Sequence, residues 1–465
     1  MKMLLAGDWV STQDKDDITC PFDGEVIGDV PKAGPADVDK AFEYAGTYDY
    51  ALTPWERYTV LSKLAERLDE LRDEIAELIC KESGKTIRDA QIELSRSITT
   101  FRVSAEEAKR ITGEVVPVAA VEGAPDTLAF TVHEPIGTVV AITPFNYPLN
   151  LVAHKVGPAL AANNPVILKP SNHTPLTALR LGELLLECGL PPQMFQVLTG
   201  DPLVLGPKLI SHKGIAKITF TGSIEVGKTI CAQSGMIEKC MELGGNDPLI
   251  VLQDADLRKV IPIAIDGAFG NNGQRCTSIK RIIVQGEIAD EFVKQFVESA
   301  SKLKIGHPLD PSTDIGPLIN ESAAEKVEQA IQAGIRDGAE LKLGGKRDGA
   351  VIEPTILDYV SSTNELVQHE VFGPVAPIIR VADFEGAIAV ANGTQYGLQA
   401  GIFSNDMEKI MRAAKTLETG AVMVNKAPGF RAEHLPFGGT KDSGLGREGV
   451  KYAVRSMTKI KTVVL

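Results

Sequence analysis

The pattern of apolar and polar positions divides the chain into a helical front, a short β-rich insertion and a long alternation of strands and helices. Residues 36–50 and 55–82 place apolar side chains every three or four positions, which predicts amphipathic helices. A third helix is expected from about Thr86 to Arg110, ending near Gly113. Two β-like runs follow, 113–119 and 126–137, separated by the turn-like segment Val121–Pro125; the second alternates and then breaks at Pro135. A hairpin here leaves open edges that need a partner. The terminal KIKTVVL (459–465) is another β-rich segment with no local mate. These strands either pair within the monomer or exchange between subunits.

From Gly137 the pattern changes. TVVAIT (138–143) leads through a turn at Pro144 to a helix over about 149–162, and NPVILKP (164–170) leads to one over about 175–188. MFQVLTG (194–200) and AKITFTG (216–222) follow, the latter opening onto a helix from Ser223. A second series starts near PLIVLQDAD (248–256), passes through RIIVQG (281–286) and runs to about Asn425. Short buried strands alternating with helices are the signature of βαβ units and a parallel sheet. The fold class is therefore α/β, with two such units, the first interrupted by the hairpin.

At 465 residues the chain is long for one core, and 44% apolar with 23% charged residues is ordinary for a globular protein. The net charge of −13 argues against a nucleic-acid surface, but a locally basic pocket for a small anion is not excluded. The six cysteines form no CxxC pair and keep no zinc-ligand spacing with histidine, so no metal site is expected and they read as reduced thiols. The N-terminal apolar run is too short for a secretory signal, and no stretch approaches the roughly 20 apolar residues of a membrane span. The expected compartment is the cytoplasm, with no membrane partner.

Three segments carry candidate chemistry. In NNGQRCTS (271–278), Cys276 sits in a polar, turn-like setting beside Arg275, whose charge favours a thiolate; the alternative is an inert thiol. In MELGGNDP (241–248), Glu242 ends an apolar strand and is either an ion-pair partner or a base with a raised pKa. In TPFNYPLN (143–150), Asn146 is either a turn former or a side-chain donor to a developing oxyanion.

Taken together and in order with LKPSNHTP (168–175), FTGS (220–223), HEVFGP (369–374) and PFGGTKDSGLGREG (436–449), these segments make nearly the whole chain resemble the aldehyde dehydrogenase superfamily. The resemblance implies a Rossmann-like dinucleotide-binding domain (1–112 and 136–243), an α/β catalytic domain (244–445) and oligomerisation strands (113–135 and 453–465). It also implies a homo-oligomer, dimer or tetramer. Cys276 then matches the nucleophile, Asn146 the oxyanion donor and Glu242 the base that hydrolyses a thioester; family members that hand the acyl group to coenzyme A usually lack this Glu. The cofactor is expected to be NAD, with NADP possible. Its site matches Thr143, Pro144 and Phe145, then Lys169, Ser171 and Asn172, then Phe220, Thr221, Gly222, Ser223 and Glu225, with Leu243, Glu370 and Phe372. The glycines at 222 and 227 are spaced GSxxxG, so a GxGxxG search misses the site. Many NAD+-preferring relatives carry Glu three residues after this lysine; here it is Asn172, which leaves a 2′-phosphate unopposed.

The substrate is expected to be a small polar aldehyde. His154 falls where enzymes for apolar aldehydes often place an aromatic residue, Arg275 precedes the nucleophile, and Arg431 falls in the loop at the pocket mouth. Two arginines and a histidine suit an anionic group, although His154 could instead serve a helix interface and Arg275 reach a more distant acid. Length and motif variants are most similar to archaeal lactaldehyde dehydrogenases, which implies lactaldehyde as substrate and a role in coenzyme biosynthesis. GQRCTSIKRI is instead similar to phosphonoacetaldehyde dehydrogenases. Sulfolactaldehyde, succinic semialdehyde and glyceraldehyde-3-phosphate are further alternatives.

Overall fold

The computed structural model describes residues 1–465. Where one amphipathic stretch ran from 55 to 82, there are two helices, Pro54–Glu70 and Arg72–Ser83, joined at Leu71 with φ −96° and ψ 24°. Leu64, Leu68, Ile75 and Ile79 are buried on both sides of the joint, so the apolar stripe continues through a kink that periodicity cannot register. Thr53 caps the first of these helices in a reciprocal pair with Glu56, and Thr86 caps the next, Ile87–Ala108, by accepting from the Asp89 N–H.

The first sheet has eight strands in the order Asp8–Val10, Met3–Leu5, Phe195–Val197, Val166–Lys169, Thr138–Ile142, Ile215–Thr221, Glu238–Glu242 and Gly444–Leu445. The inner five are parallel, and both edges are closed by antiparallel strands. Met3–Leu5 and Asp8–Val10 had no sequence expectation, because three residues are too few to display a period of two. The second sheet runs Glu340–Leu343, Thr355–Asp358, Val375–Val381, Ile279–Gln285, Asp247–Val251, Gln399–Phe403 and Ala421–Val424, parallel except at its first edge. Its central strand Ile279–Gln285 is buried at every position, as a strand covered on both faces must be. Separate hydrophobic clusters fill its two sides, and one larger cluster unites the first sheet with the N-terminal helices.

The β-rich insertion contributes Val115–Pro117 and Leu128–Pro135, and the terminal segment Thr458–Val464 lies antiparallel along the latter in the same chain. Exchange between subunits is thus not needed to give the terminal strand a mate. The chain reaches it by way of Gly444–Leu445, which pairs with Met241–Glu242 on the first sheet, and the helix Val450–Ser456. No helix is long and apolar enough to cross a membrane.

Candidate active site

In the first sheet the chain proceeds from Thr138–Ile142 outward in one direction and from Ile215–Thr221 outward in the other, so the strand order reverses between these two neighbours. Ligands of open α/β sheets bind in the crevice beyond the carboxyl ends of such strands. Here the crevice holds a cavity of about 290 Å3 lined by Pro144 and Phe145 after one strand, Thr221, Gly222 and Ser223 after the other, and Leu243 and Gly244 after the next. Cys276, Glu370 and Phe372 close it from the second sheet's side, with Phe145 and Phe372 edge to face at 5.8 Å. Ser223 caps the helix Ile224–Gln233 by accepting from Val226, placing a helix N-terminus on the crevice. Gly227 has no room for a Cβ because Leu243 packs directly on it.

These residues fit a dinucleotide. Thr143 Oγ1, Thr221 Oγ1 and Glu370 Oε1 are buried without a hydrogen-bond partner, and a Cβ on Gly244 would overlap the Glu370 carboxylate. Burial pushes the Glu370 carboxyl up to about 7, against the opposing charge of Lys280. The remaining matched residues lie outside the cavity wall. Phe220 is buried beneath the Gly222 turn, and Glu225 is exposed in the first turn of its helix. Lys169 ends its strand and donates from Nζ to Asn172 Oδ1 at 2.6 Å and to the Pro170 carbonyl at 2.9 Å; burial lowers its pKa to about 8. Ser171 Oγ accepts from the His173 N–H. No carboxylate stands beside Lys169 at position 172.

The thiol is presented by a tightly bound loop. Asn271, Asn272 and Gly273 are left-handed in succession, at φ 50°, 56° and 69°. The side chains fix that turn: Asn271 Nδ2 donates to the Asn146 carbonyl, while Asn272 donates to Pro317 O at 2.8 Å and accepts from Gly316 N–H. Lys280 Nζ ties the loop to the Glu370 segment, donating to Gly273 O at 2.5 Å and Val371 O at 2.7 Å. Asn146 Nδ2 donates to Gln274 O at 3.0 Å, which leaves one of its two hydrogens free beside Cys276.

Arg275 does not act on the thiol in the way the sequence suggested. Its guanidinium turns to the Asp266 carbonyl and carboxylate, and the cation that favours the Cys276 thiolate is Arg431. Burial, together with the Glu370, Asp247 and Glu242 carboxylates, pushes the thiol up to about 12. In the free enzyme the thiolate fraction should therefore rise about tenfold per pH unit between pH 7 and 10, since every point lies below the pKa. Alkylation of Cys276 by iodoacetamide, followed by peptide mass spectrometry, is expected to show that slope; a plateau near pH 8 would show a thiol already ionised.

Glu242 ends the strand Glu238–Glu242 and is 3% exposed, with Oε1 facing Cys240 Sγ at 3.9 Å and Oε2 without a partner. Burial first, and the Glu448 carboxylate second, hold its carboxyl well above the ordinary range. Its carboxyl lines neither cavity at Cys276, although the adjacent Leu243 and Gly244 do, and Gly245 packs on the Cys276 carbonyl.

On the opposite side of Cys276 lies a second, smaller cavity of about 50 Å3. Asn146 and Cys276 belong to both walls. The new wall brings Tyr147, Asn150 and three arginines, Arg96, Arg275 and Arg431. Arg431 lies over the Phe437 ring at 3.9 Å, and its Nε, like that of Arg275, is buried with no partner. His154 is a correction: it is 1% exposed, lines neither cavity, and donates from Nε2 to Glu433 Oε2 at 2.5 Å between its own helix and the 430–434 loop. Arg96 had no sequence signal beyond its place on an amphipathic helix, and Glu433, which also receives Arg96 Nε at 2.7 Å, is 337 residues away from it.

A thiol at the meeting point of a nucleotide crevice and a polar substrate cavity belongs to the class of nicotinamide-linked dehydrogenases that act through cysteine. The chain belongs to the aldehyde dehydrogenase family, whose model matches residues 9–463. It is an NAD(P)+-dependent aldehyde dehydrogenase. It is 44% identical over 464 residues to the 3-sulfolactaldehyde dehydrogenase of Priestia aryabhattai, covering 100% of this chain and 97% of that protein. It is 41% identical over 470 residues to the lactaldehyde dehydrogenase of Methanocaldococcus jannaschii, covering 100% of each. The crystal structure of the glyceraldehyde-3-phosphate dehydrogenase GapN of Methanocaldococcus jannaschii, complexed with NADP, superposes with a TM-score of 0.94 at 41% identity, over 98% of this chain and 100% of that one.

Proposed function

We propose that the enzyme oxidises a short aldehyde carrying an anionic group at its far end, a sulfonate, carboxylate, phosphonate or phosphate, and releases the free carboxylic acid. One observation carries this reading: three arginines line the small cavity at Cys276, and two of them hold a buried Nε–H with no acceptor. A buried donor left unpaired costs about 1–3 kcal/mol, which an anion placed there relieves. The relatives' sulfonated and phosphorylated aldehydes share that feature. Lactaldehyde is the second reading, favoured by a cavity too small for a long chain and by the archaeal relative.

In this reading Cys276 gives up its thiol proton to solvent, its thiolate Sγ adds to the aldehyde carbon, and the resulting oxyanion of the thiohemiacetal meets the free Asn146 Nδ2–H and the Cys276 N–H, a donor pair of which each member contributes about 3 kcal/mol in the transition state. A nicotinamide dinucleotide held by Pro144, Thr221, Gly222, Glu370 and Phe372 would supply the hydride acceptor for that carbon. The carbon is thereby left as a thioester on Cys276. Glu242 takes a proton from the water that attacks it, and the acid and the thiol are released; a carboxylate of raised pKa is the stronger base for that step. Either nicotinamide dinucleotide suits the crevice, and Asn172 beside Lys169 leaves room for the phosphorylated one. The exposed Ile460 and Val464 on the terminal strand, with Leu465 just past its end, support assembly with further copies of the chain.

Initial rates with lactaldehyde, 3-sulfolactaldehyde, succinic semialdehyde, phosphonoacetaldehyde and glyceraldehyde-3-phosphate, each with NAD+ and NADP+, test the reading directly. An anionic aldehyde should give the highest kcat/KM; a preference for long aliphatic aldehydes overturns it. Arg431→Leu should raise KM for the anionic substrate by roughly 10–100-fold, the worth of one charge-assisted contact, and leave KM for lactaldehyde within about twofold. Equal effects on both would remove Arg431 from the substrate site.

A further inference from the structure

The two N–H donors assigned to the oxyanion come from different sheets. Asn146 follows the first-sheet strand Thr138–Ile142, and Cys276 lies on the loop before the second-sheet strand Ile279–Gln285. One oxygen meets both only if the two loops are held in register. The start of the helix Ile87–Ala108 reaches both of them. Gly84, left-handed at φ 73°, ends the preceding helix, and a Cβ there would meet Pro317 at 2.9 Å. The chain then turns Lys85 inward, with its side chain 1% exposed. Lys85 Nζ donates to Asn146 O at 2.6 Å and to Glu93 Oε2 at 2.5 Å, and it lies 4.1 Å from the centre of the Tyr147 ring. The three hydrogens of the ammonium are thereby matched by three partners.

Glu93, in the second turn of the helix, is fully buried, and its Oε1 accepts from the Leu149 and Asn150 N–H groups at 2.8 and 3.0 Å. It thus caps the helix Asn150–Ala161, whose own N-cap residue, Leu149, has no side-chain acceptor. One turn earlier, Asp89 accepts the Asn271 N–H of the thiol loop at 3.1 Å. Asn271 Nδ2 in turn donates to Asn146 O at 3.2 Å. That single carbonyl oxygen receives Lys85 and the thiol loop together, which uses both of its lone pairs.

We propose that Lys85 and Glu93 are positioning residues for the oxidation: the buried pair fixes the Asn146 peptide, and through it the free Nδ2–H, in register with the Cys276 N–H. This rests on the oxyanion role given to Asn146 above and extends it to two side chains that line neither cavity at the thiol. Satisfying the Asn146 carbonyl does not require an ion pair, since Asn271 already donates to it. Apolar residues of the same volume would also avoid the desolvation that a buried lysine and glutamate incur. What the pair adds is direction. Between them the two side chains touch Asn146, Tyr147, Leu149 and Asn150, so the turn has no freedom to rotate its amide away from the sulfur. A displacement of about 1 Å at such a donor can cost about 100-fold in rate.

A double-mutant cycle on the single-turnover rate of NAD(P)H formation tests this. Lys85→Met with Glu93→Gln removes both charges at once, so the net charge around the thiol is unchanged, and the new amide oxygen can still accept from Leu149 and Asn150. The paired change should slow the step by about 10–100-fold, while dinucleotide affinity and the rate of Cys276 alkylation stay within about twofold. Asn146→Ala alone should slow it by about 100–1000-fold. Added to Asn146→Ala, the paired change should cost at most about threefold more, because the group it positions is gone. A general loosening of the fold would repeat its full loss in that background. Should the paired variant not fold, Asn271→Gly is read in the same two backgrounds with the same expectation; it deletes the other donor to the Asn146 carbonyl, at a φ of 50° that glycine adopts freely. Losses of equal size with and without the Asn146 side chain, or no loss in the wild-type background, overturn the inference and leave the oxyanion role in place. An Asn146→Ala rate within about tenfold of wild type overturns that role, and the inference with it.

Discussion

Replacing Cys276 by alanine is expected to reduce aldehyde oxidation by at least about 10^4-fold while the dinucleotide still binds, because the cavity walls contributed by Pro144, Thr221 and Glu370 do not depend on the thiol. Two measurements check this: steady-state NAD(P)H formation, and cofactor affinity by quenching of tryptophan fluorescence. The expectation follows from position. Cys276 is the one side chain with a reactive nucleophile in the walls of both cavities, and Asn146, the other shared residue, supplies only N–H donors and an amide oxygen. A variant that keeps more than about a tenth of its turnover would transfer the chemistry to a direct hydride transfer from the aldehyde hydrate, in which Asn146 and Glu242 serve a bound water instead.

Glu242→Gln is expected to separate the two halves of the reaction. Thioester formation needs Cys276 and Asn146, so a single burst of NAD(P)H should persist at one equivalent per active site. Turnover afterwards should fall by about 10^2–10^4-fold, the usual worth of a general base. Rapid-quench mass spectrometry is then expected to show the acyl group on the Cys276 peptide. The wild-type rate of the second step should increase with pH, because a carboxyl held above its ordinary value becomes a base only as pH rises through the shifted pKa. Loss of the burst together with turnover would instead give Glu242 a part in activating the thiol. Its charge is one of those that disfavour the Cys276 thiolate, so neutralising it should not by itself slow the burst.

The sequence made legible what depends on local backbone. Pro144, Phe145, Thr221, Gly222 and Ser223 were expected from the family resemblance, and the sheet's order gathers them after neighbouring strand ends on one crevice. Glu370 and Phe372 followed from the family resemblance and indeed close that crevice. Relations between distant segments stayed hidden. His154 was expected in the cavity because it falls where enzymes for apolar aldehydes often place an aromatic residue, but a helix turns each successive side chain by about 100°, and that angle sends it to Glu433. Arg275 is beside Cys276 in the chain and yet points to Asp266, since consecutive side chains of an irregular loop share no direction. Arg96 was overlooked for the converse reason, a half-buried arginine on an amphipathic face being ordinary until the 430–434 loop folds over it. The kink at Leu71 changes no hydrophobic position and so left no trace in the pattern.

The two cavities meet at Cys276 and Asn146 and at no other residue, one facing the first sheet's crevice and the other facing the arginines. In the proposed reading the aldehyde takes one cavity and the dinucleotide the other, so neither occupies the other's space. Sterically, binding order is free, and the acid is able to depart while the reduced dinucleotide remains seated. Any compulsory sequence of arrivals and departures in this enzyme then has to arise from charge or loop motion, not from one ligand blocking the passage of the other.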